Sequence, residues 1–258
     1  QKYHDAKNMN LLKYLPIFFI VLSTSNAAAQ GNRTAMEAFY CSFQDGKDMS
    51  DLKKVSAEWD SWADSNFSER YAGYVLTPVL ATGSDFPFDF VWLGFSDNLA
   101  TLGTVMGEWM SKGSKLQAKF DAVSSCDSHM TIDSFEDRPY AQIGQAGLLQ
   151  IRSCIAQEGV TFGQIVRARS AAFDWFSENE VAGGNYMWLP GAGMPVDSDI
   201  SFYDVWVTSS LSERGAALEK MYQLDWDEYR GIAGRNSLWD CDNPRVWYAT
   251  PVGGREAD

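Results

Sequence analysis

Three side chains in this 258-residue sequence could support acid–base chemistry. Asp204 stands in the stretch 201–208, which is rich in aromatic and β-branched residues, Tyr186 stands in a similar stretch, and His129 follows Cys126. A carboxyl group in apolar surroundings has a raised pKa and can serve as a general acid or base. Asp204, His129 and Tyr186 are therefore the candidates for catalysis.

The histidine count restricts the chemistry. His129 is the only histidine left once the N-terminal segment 1–29 is set aside. A Ser-His-Asp triad and a multi-histidine metal site each need more than this residue can supply, whereas a haem with one proximal histidine stays open. The alternative is a histidine at the surface or on an edge strand. We predict no metal site and no cofactor.

Two tryptophans stand at matching positions in strand-like triplets. Trp92 lies in the triplet 91–93 and Trp206 in the triplet 205–207, at an offset of 114 residues. Side chains alternate between the faces of a strand, so Trp92 shares a face with Phe90. The aliphatic face suits packing against helices, so the tryptophans are expected on the helix-free face.

The cysteines belong to a longer series of repeated positions. Four cysteines form two sets with internal separations of 85 and 87 residues, and their first members are 113 apart. Trp62 and Trp175 repeat at the same offset of 113. A collinear series of this kind indicates internal duplication, with repeats over 38–140 and 148–252. A four-cysteine zinc site is disfavoured because no C-x-x-C spacing occurs.

Each repeat predicts the same order of elements, strand–helix–strand–strand–helix–strand. Apolar spacings of three and four residues predict a helix over 49–66, capped by Asp48 or Ser50. A second helix is expected over 98–120, with interruptions at its glycines. The corresponding helices of the second repeat are expected over 161–178 and 211–233.

This βαββαβ order resembles the ferredoxin-like fold, in which an antiparallel sheet carries two helices on one face. The first and fourth strands are neighbours in that fold. The resemblance, combined with the repeat, therefore implies the disulfides Cys41–Cys126 and Cys154–Cys241, out of three connectivities that four cysteines allow.

Two such units in tandem also resemble the dimeric α/β-barrel superfamily, which includes antibiotic-biosynthesis monooxygenases, haem-handling enzymes and isomerising enzymes. The expected fold class is α+β, with two tandem ferredoxin-like repeats forming a pseudo-dimeric barrel. The helix-free faces would then enclose an aromatic-lined interior, a usual setting for a ligand. The residues expected to line it and to bind the ligand are Trp92, Trp206, Tyr74, Tyr186, Trp188 and Phe90.

The N-terminal sequence and the net charge predict where the protein is located and which partners it does not bind. An apolar run from Leu11 to Leu22, followed by Ala27-x-Ala29, predicts a signal peptide over 1–29, with residues 1–8 upstream of Met9 and cleavage before Gln30. The remainder has a net charge of −15 and would repel nucleic acid and anionic membranes. A periplasmic or extracellular protein, with no membrane contact after cleavage, is the expectation.

Two functions stay open at this level, and the sequence does not settle whether the protein is an enzyme. The first is a module that binds a small apolar or aromatic ligand or provides an interaction surface. The alternative is a cofactor-light enzyme of the monooxygenase-like or isomerase-like kind. The ligand and the oligomeric state are not determined by the sequence.

Overall fold

The computed structural model describes residues 33–140, 145–233 and 238–255. The predicted signal peptide lies outside these residues. The first part comprises β1 (Arg33–Phe43), α1 (Met49–Asn66), β2 (Tyr71–Leu80), β3 (Phe90–Ser96), α2 (Leu99–Lys112), α3 (Ser114–Asp121) and β4 (Ser124–Arg138). The second comprises β5 (Gly147–Ala156), α4 (Phe162–Glu178), β6 (Gly184–Pro190), β7 (Phe202–Thr208), α5 (Leu211–Tyr222), α6 (Trp226–Ala233), β8 (Trp239–Cys241) and β9 (Arg245–Arg255).

Eight antiparallel strands close into a barrel. Their order around the ring is β7-β6-β4-β1-β3-β2-β9-β5, and the pairing of β5 with β7 completes it. The short strand β8 lies outside the ring and pairs with the end of β5. The described residues thus form an α+β fold with an eight-stranded barrel and six α-helices. Among them no helix combines the length and apolarity needed to cross a membrane.

The helix boundaries follow from local chemistry. The Asp48 side chain accepts hydrogen bonds from the first turn of α1, as predicted. Asn98 and Thr101 form a capping box at the start of α2. The helix expected over 98–120 is instead divided at Gly113, where a β-carbon would lie 2.7 Å from the Trp109 carbonyl oxygen. A glycine is therefore required at this break.

Both predicted disulfides are confirmed. Cys41 and Cys126 face each other across β1 and β4, and Cys154 and Cys241 face each other across β5 and β8. The two halves differ at this point because β4 continues unbroken beyond Cys126, whereas residues 242–244 separate β8 from β9. Pro244 contributes to this separation, since proline cannot donate a hydrogen bond to a neighbouring strand.

The prediction of which strand face meets the helices is wrong. Val91 and Leu93 point into the barrel, whereas Phe90 and Trp92 pack beneath α1 and α2. Trp206 likewise packs beneath the helices of the second half. On this side Trp92 packs edge to face on Trp59 of α1, and Trp206 Nε1 donates to the Ala182 carbonyl oxygen. The indoles instead occupy the layer between sheet and helices, where aromatic residues of the helices meet them.

Candidate functional site

Three of the predicted lining residues do lie in the barrel interior. Tyr74, Tyr186 and Trp188 belong to an interior cluster that includes aliphatic residues from both halves, among them Leu149 and Val205. Burial and the nearby charge of Glu136 raise the pKa of Tyr186 to about 12. Trp188 is buried there, and Tyr74 and Tyr186 are half-buried.

His129 lies on the outer face of the first half, away from the other candidates. Its Nε2 is 2.8 Å from Glu37 Oε2, and its ring stacks on Phe39 with centroids 3.7 Å apart. The buried Tyr71 hydroxyl donates to Glu37 Oε1 at 2.7 Å and accepts from Trp92 Nε1 at 3.2 Å. Burial, followed by the charge of Glu37, raises the pKa of Tyr71 well above its usual value. This polar chain supports the packing of the first half.

Asp204 and Trp206 do come together, at a cavity that the sequence did not predict. The cavity has a volume of about 330 Å³ and lies in the second half, on the helix-bearing side of the sheet. Its lining residues come from β5, β6, β7 and β8 and from α4, α5 and α6, and we call it the α4–α6 pocket. Its apolar walls include Ala172, Phe173, Phe176, Val181, Leu218 and Met221.

One wall of the pocket contains a buried network of ion pairs centred on Arg169. This guanidinium donates to Asp137 Oδ2 at 3.0 and 2.6 Å and to Asp204 Oδ1 at 2.7 Å. Arg152 donates to the other oxygen of Asp204. Burial lowers the pKa of Arg169, but the charges of the two carboxylates more than offset this and raise it. Burial raises the pKa of Asp137 although Arg169 opposes the shift.

A second guanidinium in the pocket has a different environment. Arg214 donates twice to Gln150 Oε1, at 3.2 and 2.6 Å, and lies over the Trp206 ring at 5.9 Å from its centroid. Burial lowers the pKa of Arg214. Gln150 and Arg152 alternate along β5 with the interior residues Leu149 and Ile151. The strand therefore presents its polar side chains to the pocket.

Two donors in the pocket lining are buried without a hydrogen-bond partner in the described part of the chain. These are Arg152 Nε and Trp239 Nε1. Buried polar groups are normally paired, because an unpaired donor costs roughly 1–3 kcal/mol. Trp239 is held at the pocket by β8, which the disulfide Cys154–Cys241 ties to β5.

Sequence reasoning singled out Asp204 and Trp206 for the barrel interior, whereas both line this pocket on the helix-bearing side, and it did not consider Arg152, Arg169 or Arg214. A signal for one of them was present, because Arg169 stands on the apolar stripe of α4 between Ile165 and Ala172. A charged residue on such a stripe indicates a buried ion pair, since an unpaired charge there would be strongly destabilising. The partners Asp137 and Asp204 come from β4 and β7, and nothing local in the sequence connects them to Arg169.

Haem-handling enzymes occur in the barrel superfamily that the sequence resembles, which raises the question of a haem site in this chain. His129 is engaged by Glu37 and stacked on Phe39, and it does not line the α4–α6 pocket. The described lining residues of that pocket include no histidine. These residues do not fit a histidine-ligated haem. The described part of the chain also contains no group of three or more metal-ligating side chains.

Comparison with known proteins gives matches by fold alone. No protein-family model matches the chain, and no curated protein is similar to it in sequence. A protein described as a chlorite dismutase is 9% identical, with a TM-score of 0.50 over 86% of this chain and 96% of its own. A variant of the chlorite dismutase from Candidatus Nitrospira defluvii is 6% identical, with a TM-score of 0.50 over 86% and 93%.

A protein described as a monooxygenase from Lactobacillus acidophilus is 11% identical, with a TM-score of 0.48 over 88% of this chain and 98% of its own. The chain shares its fold, an eight-stranded antiparallel barrel with flanking helices, with these chlorite dismutase structures.

Proposed function

We propose that this protein binds a small, largely apolar molecule in the α4–α6 pocket. The observation that carries the proposal is a cavity of about 330 Å³ with apolar walls and a few convergent polar groups. This size lies at the lower end of the range for small-molecule sites, which are typically concave and mostly apolar. The site replaces the barrel interior as the candidate, because the interior aromatics pack against one another and against aliphatic residues.

The pocket has a natural explanation if the halves are tandem ferredoxin-like repeats, which we infer. The strands of the first half are adjacent in the order β4-β1-β3-β2, and those of the second in the order β9-β5-β7-β6. Each order matches that of a ferredoxin-like sheet. The same inference gives the repeat boundaries 38–140 and 148–252.

Aligning the two halves at the repeat offset explains why the second half has a cavity. At 113 residues, Trp59 of the first half corresponds to Ala172 of the second. Trp59 is buried and packs edge to face on Trp92, with ring centroids 4.8 Å apart. Ala172 and Trp206 both line the pocket. The exchange of an indole for a methyl group therefore supports a site in the second half.

A monooxygenase-like or isomerase-like enzyme is the second candidate. The solved structures that share this fold are described as chlorite dismutases, which are enzymes. Two carboxylates with buried guanidinium partners, Asp137 and Asp204, stand beside the pocket and could position a polar substrate. Mass spectrometry of a bound probe after aerobic incubation separates the candidates, because an enzyme of this kind would return a rearranged or oxygenated probe.

We also propose that the protein is exported to the periplasm or the extracellular space. Two disulfides in the described residues support this, since disulfides persist in oxidising compartments. Mass spectrometry of the exported protein should find Gln30 as the first residue. A mature protein that retained Leu11 to Leu22 would contradict the proposal.

The binding proposal is tested with the neutral fluorescent probe N-phenyl-1-naphthylamine. Leu218 lines the pocket, so Leu218→Trp should fill it and weaken binding by at least about tenfold, equivalent to about 1.4 kcal/mol. Met110→Trp adds the same ring at a site that is 77% exposed on α2 and should leave binding unchanged. Equal affinity in the two variants would overturn the assignment of the site.

A further inference from the structure

The α4–α6 pocket is positively charged within an acidic protein. The chain has a net charge of −13, yet Arg152, Arg169 and Arg214 all line this pocket. Asp204 is the acidic residue in the lining, and Asp137 binds Arg169 from behind it. Among the described residues, three guanidiniums therefore face two carboxylates.

A fourth guanidinium adds to this excess. Arg138 is buried and donates to Asn185 Oδ1 at 3.0 Å and to the Val181 carbonyl oxygen at 2.6 Å. Asn185 and Val181 both line the pocket. In the ranges 33–140, 145–233 and 238–255, the hydrogen-bond acceptors of Arg138 and Arg214 are neutral. Two cations beside the cavity thus lack a carboxylate partner there.

The first-half positions that correspond to Arg214 and Arg152 are apolar. Counted from the helix caps Asn98 and Ser210, Arg214 corresponds to Leu102, which is fully buried. Counted from the first cysteine of each half, Arg152 corresponds to Phe39. The second half, which contains the pocket, therefore has arginines at two positions where the first half has apolar side chains. Arg214 is half-buried and donates to the neutral Gln150 rather than to a carboxylate. A bound anion would supply the counter-charge that this side chain lacks among the described residues.

We propose that the ligand of the α4–α6 pocket is an amphiphilic monocarboxylate whose carboxylate pairs with Arg214. This inference rests on the proposed function and specifies its ligand class. The apolar body would lie against Phe173, Phe176 and Leu218. The carboxylate would accept the two N–H groups that Gln150 Oε1 now accepts. The planar guanidinium of arginine matches a carboxylate in a bidentate pair.

The experiment compares probes of matched shape. Binding of 3-phenylpropionate, its neutral amide 3-phenylpropionamide and the cation 3-phenylpropylammonium to the full chain is measured by calorimetry. We expect the acid to bind at least about tenfold more tightly than the amide, and the cation to bind most weakly, because a charged hydrogen-bond pair contributes more than a neutral one. Equal affinity for acid and amide would overturn the proposal.

Variants test whether the preference for the acid over the amide depends on Arg214. Arg214→Gln should weaken binding of the acid by about tenfold or more and change binding of the amide less than about twofold. Arg214→Lys keeps the charge and should retain part of the preference for the acid. Arg70→Gln removes an equal charge from a surface pair with Asp97 and should alter neither affinity. An unchanged affinity of Arg214→Gln for the acid would contradict the proposal.

The outcomes separate the ligand class from the site itself. If the amide and N-phenyl-1-naphthylamine bind but the acid has no advantage, the carboxylate proposal fails and the binding site stands. If the acid, the amide and N-phenyl-1-naphthylamine all fail to bind, the proposed function fails as well.

Discussion

Beneath the helices of the first half, Trp59, Trp92 and Phe120 form a continuous aromatic layer, with Trp92 and Phe120 centroids 5.6 Å apart. Beneath the helices of the second half, the space beside Trp206 is a cavity bordered by arginines. The strands that support the two layers follow the same order. The same order of strands therefore supports a filled aromatic layer in the first half and an open cavity in the second.

The polar groups buried beneath the helices also differ between the two halves. The first half buries a neutral hydroxyl beside one carboxylate, Tyr71 with Glu37. The second half buries Arg169 between Asp137 and Asp204. At the offset of 113, Arg169 corresponds to Ser56, whose buried hydroxyl has no partner among the described residues. The second half therefore buries an ion-paired cation where the first half buries a small hydroxyl.

The largest expected effect on stability separates these two positions. Arg169→Leu leaves Asp137 and Asp204 buried beside one another without their shared cation, and it should cost about 3–5 kcal/mol of unfolding free energy. Ser56→Ala should change this free energy by less than about 0.5 kcal/mol, because the hydroxyl makes no hydrogen bond that is lost. Urea unfolding of both variants is the measurement, and similar costs would contradict the contrast.

The aromatic layer of the first half can be opened in a similar way. Trp59→Ala should cost about 3–5 kcal/mol, because it removes a buried indole and leaves an apolar cavity. Indole added to this variant should raise its melting temperature by filling the cavity, and should not raise that of Met110→Ala. A variant that is as stable as the parent chain would show that the layer does not depend on this ring.

The two disulfides are expected to differ in their effect on ligand binding. Replacing either pair by alanines should cost about 2–5 kcal/mol. Loss of Cys154–Cys241 should also weaken binding of N-phenyl-1-naphthylamine, because this bond ties β8 and its pocket residue Trp239 to β5. Loss of Cys41–Cys126 should leave binding unchanged at a temperature where both variants are folded. The same binding in both would show that β8 does not shape the pocket.

The smallest expected effect is the contribution of Tyr71 to the free energy of unfolding at alkaline pH. The pKa of Tyr71 is raised in the folded state, so the unfolded state loses this proton first as the pH rises above about 10. The folded state is therefore progressively destabilised above that pH. Tyr71→Phe should reduce the decline in unfolding free energy between about pH 9 and 11. The exposed Tyr222→Phe is the control, and identical slopes in both variants would refute this contribution of Tyr71.

The sequence determined more of the scaffold than of the site. Hydrophobic periodicity predicted the order of elements, and the repeated cysteine spacings together with the fold resemblance predicted both disulfides, because these are properties of positions along the chain. Alternation along the strand correctly separated Trp92 from Val91, but it could not decide which of them faces the helices. That choice depends on Trp59 and other aromatic residues of the helices, which meet Trp92 only in the folded protein.

The pocket could not be predicted from the sequence for a related reason. It exists because a small residue, Ala172, stands beside Trp206, and because Arg169 finds carboxylates on β4 and β7. Neither contact has a local sequence signature. The exchange of Trp59 for Ala172 is nevertheless visible in the amino-acid sequence when the two halves are aligned at the offset of 113.

The most direct test of the account is to restore that indole. Ala172→Trp reproduces the first-half arrangement in the second half, and Ala172→Leu is a milder filling variant if the indole prevents folding. Fluorescence titration with N-phenyl-1-naphthylamine should show affinity reduced by at least about tenfold in Ala172→Trp and by less in Ala172→Leu. A folded Ala172→Trp that binds the probe as tightly as the parent chain would contradict the claim that the second half holds its ligand in this pocket.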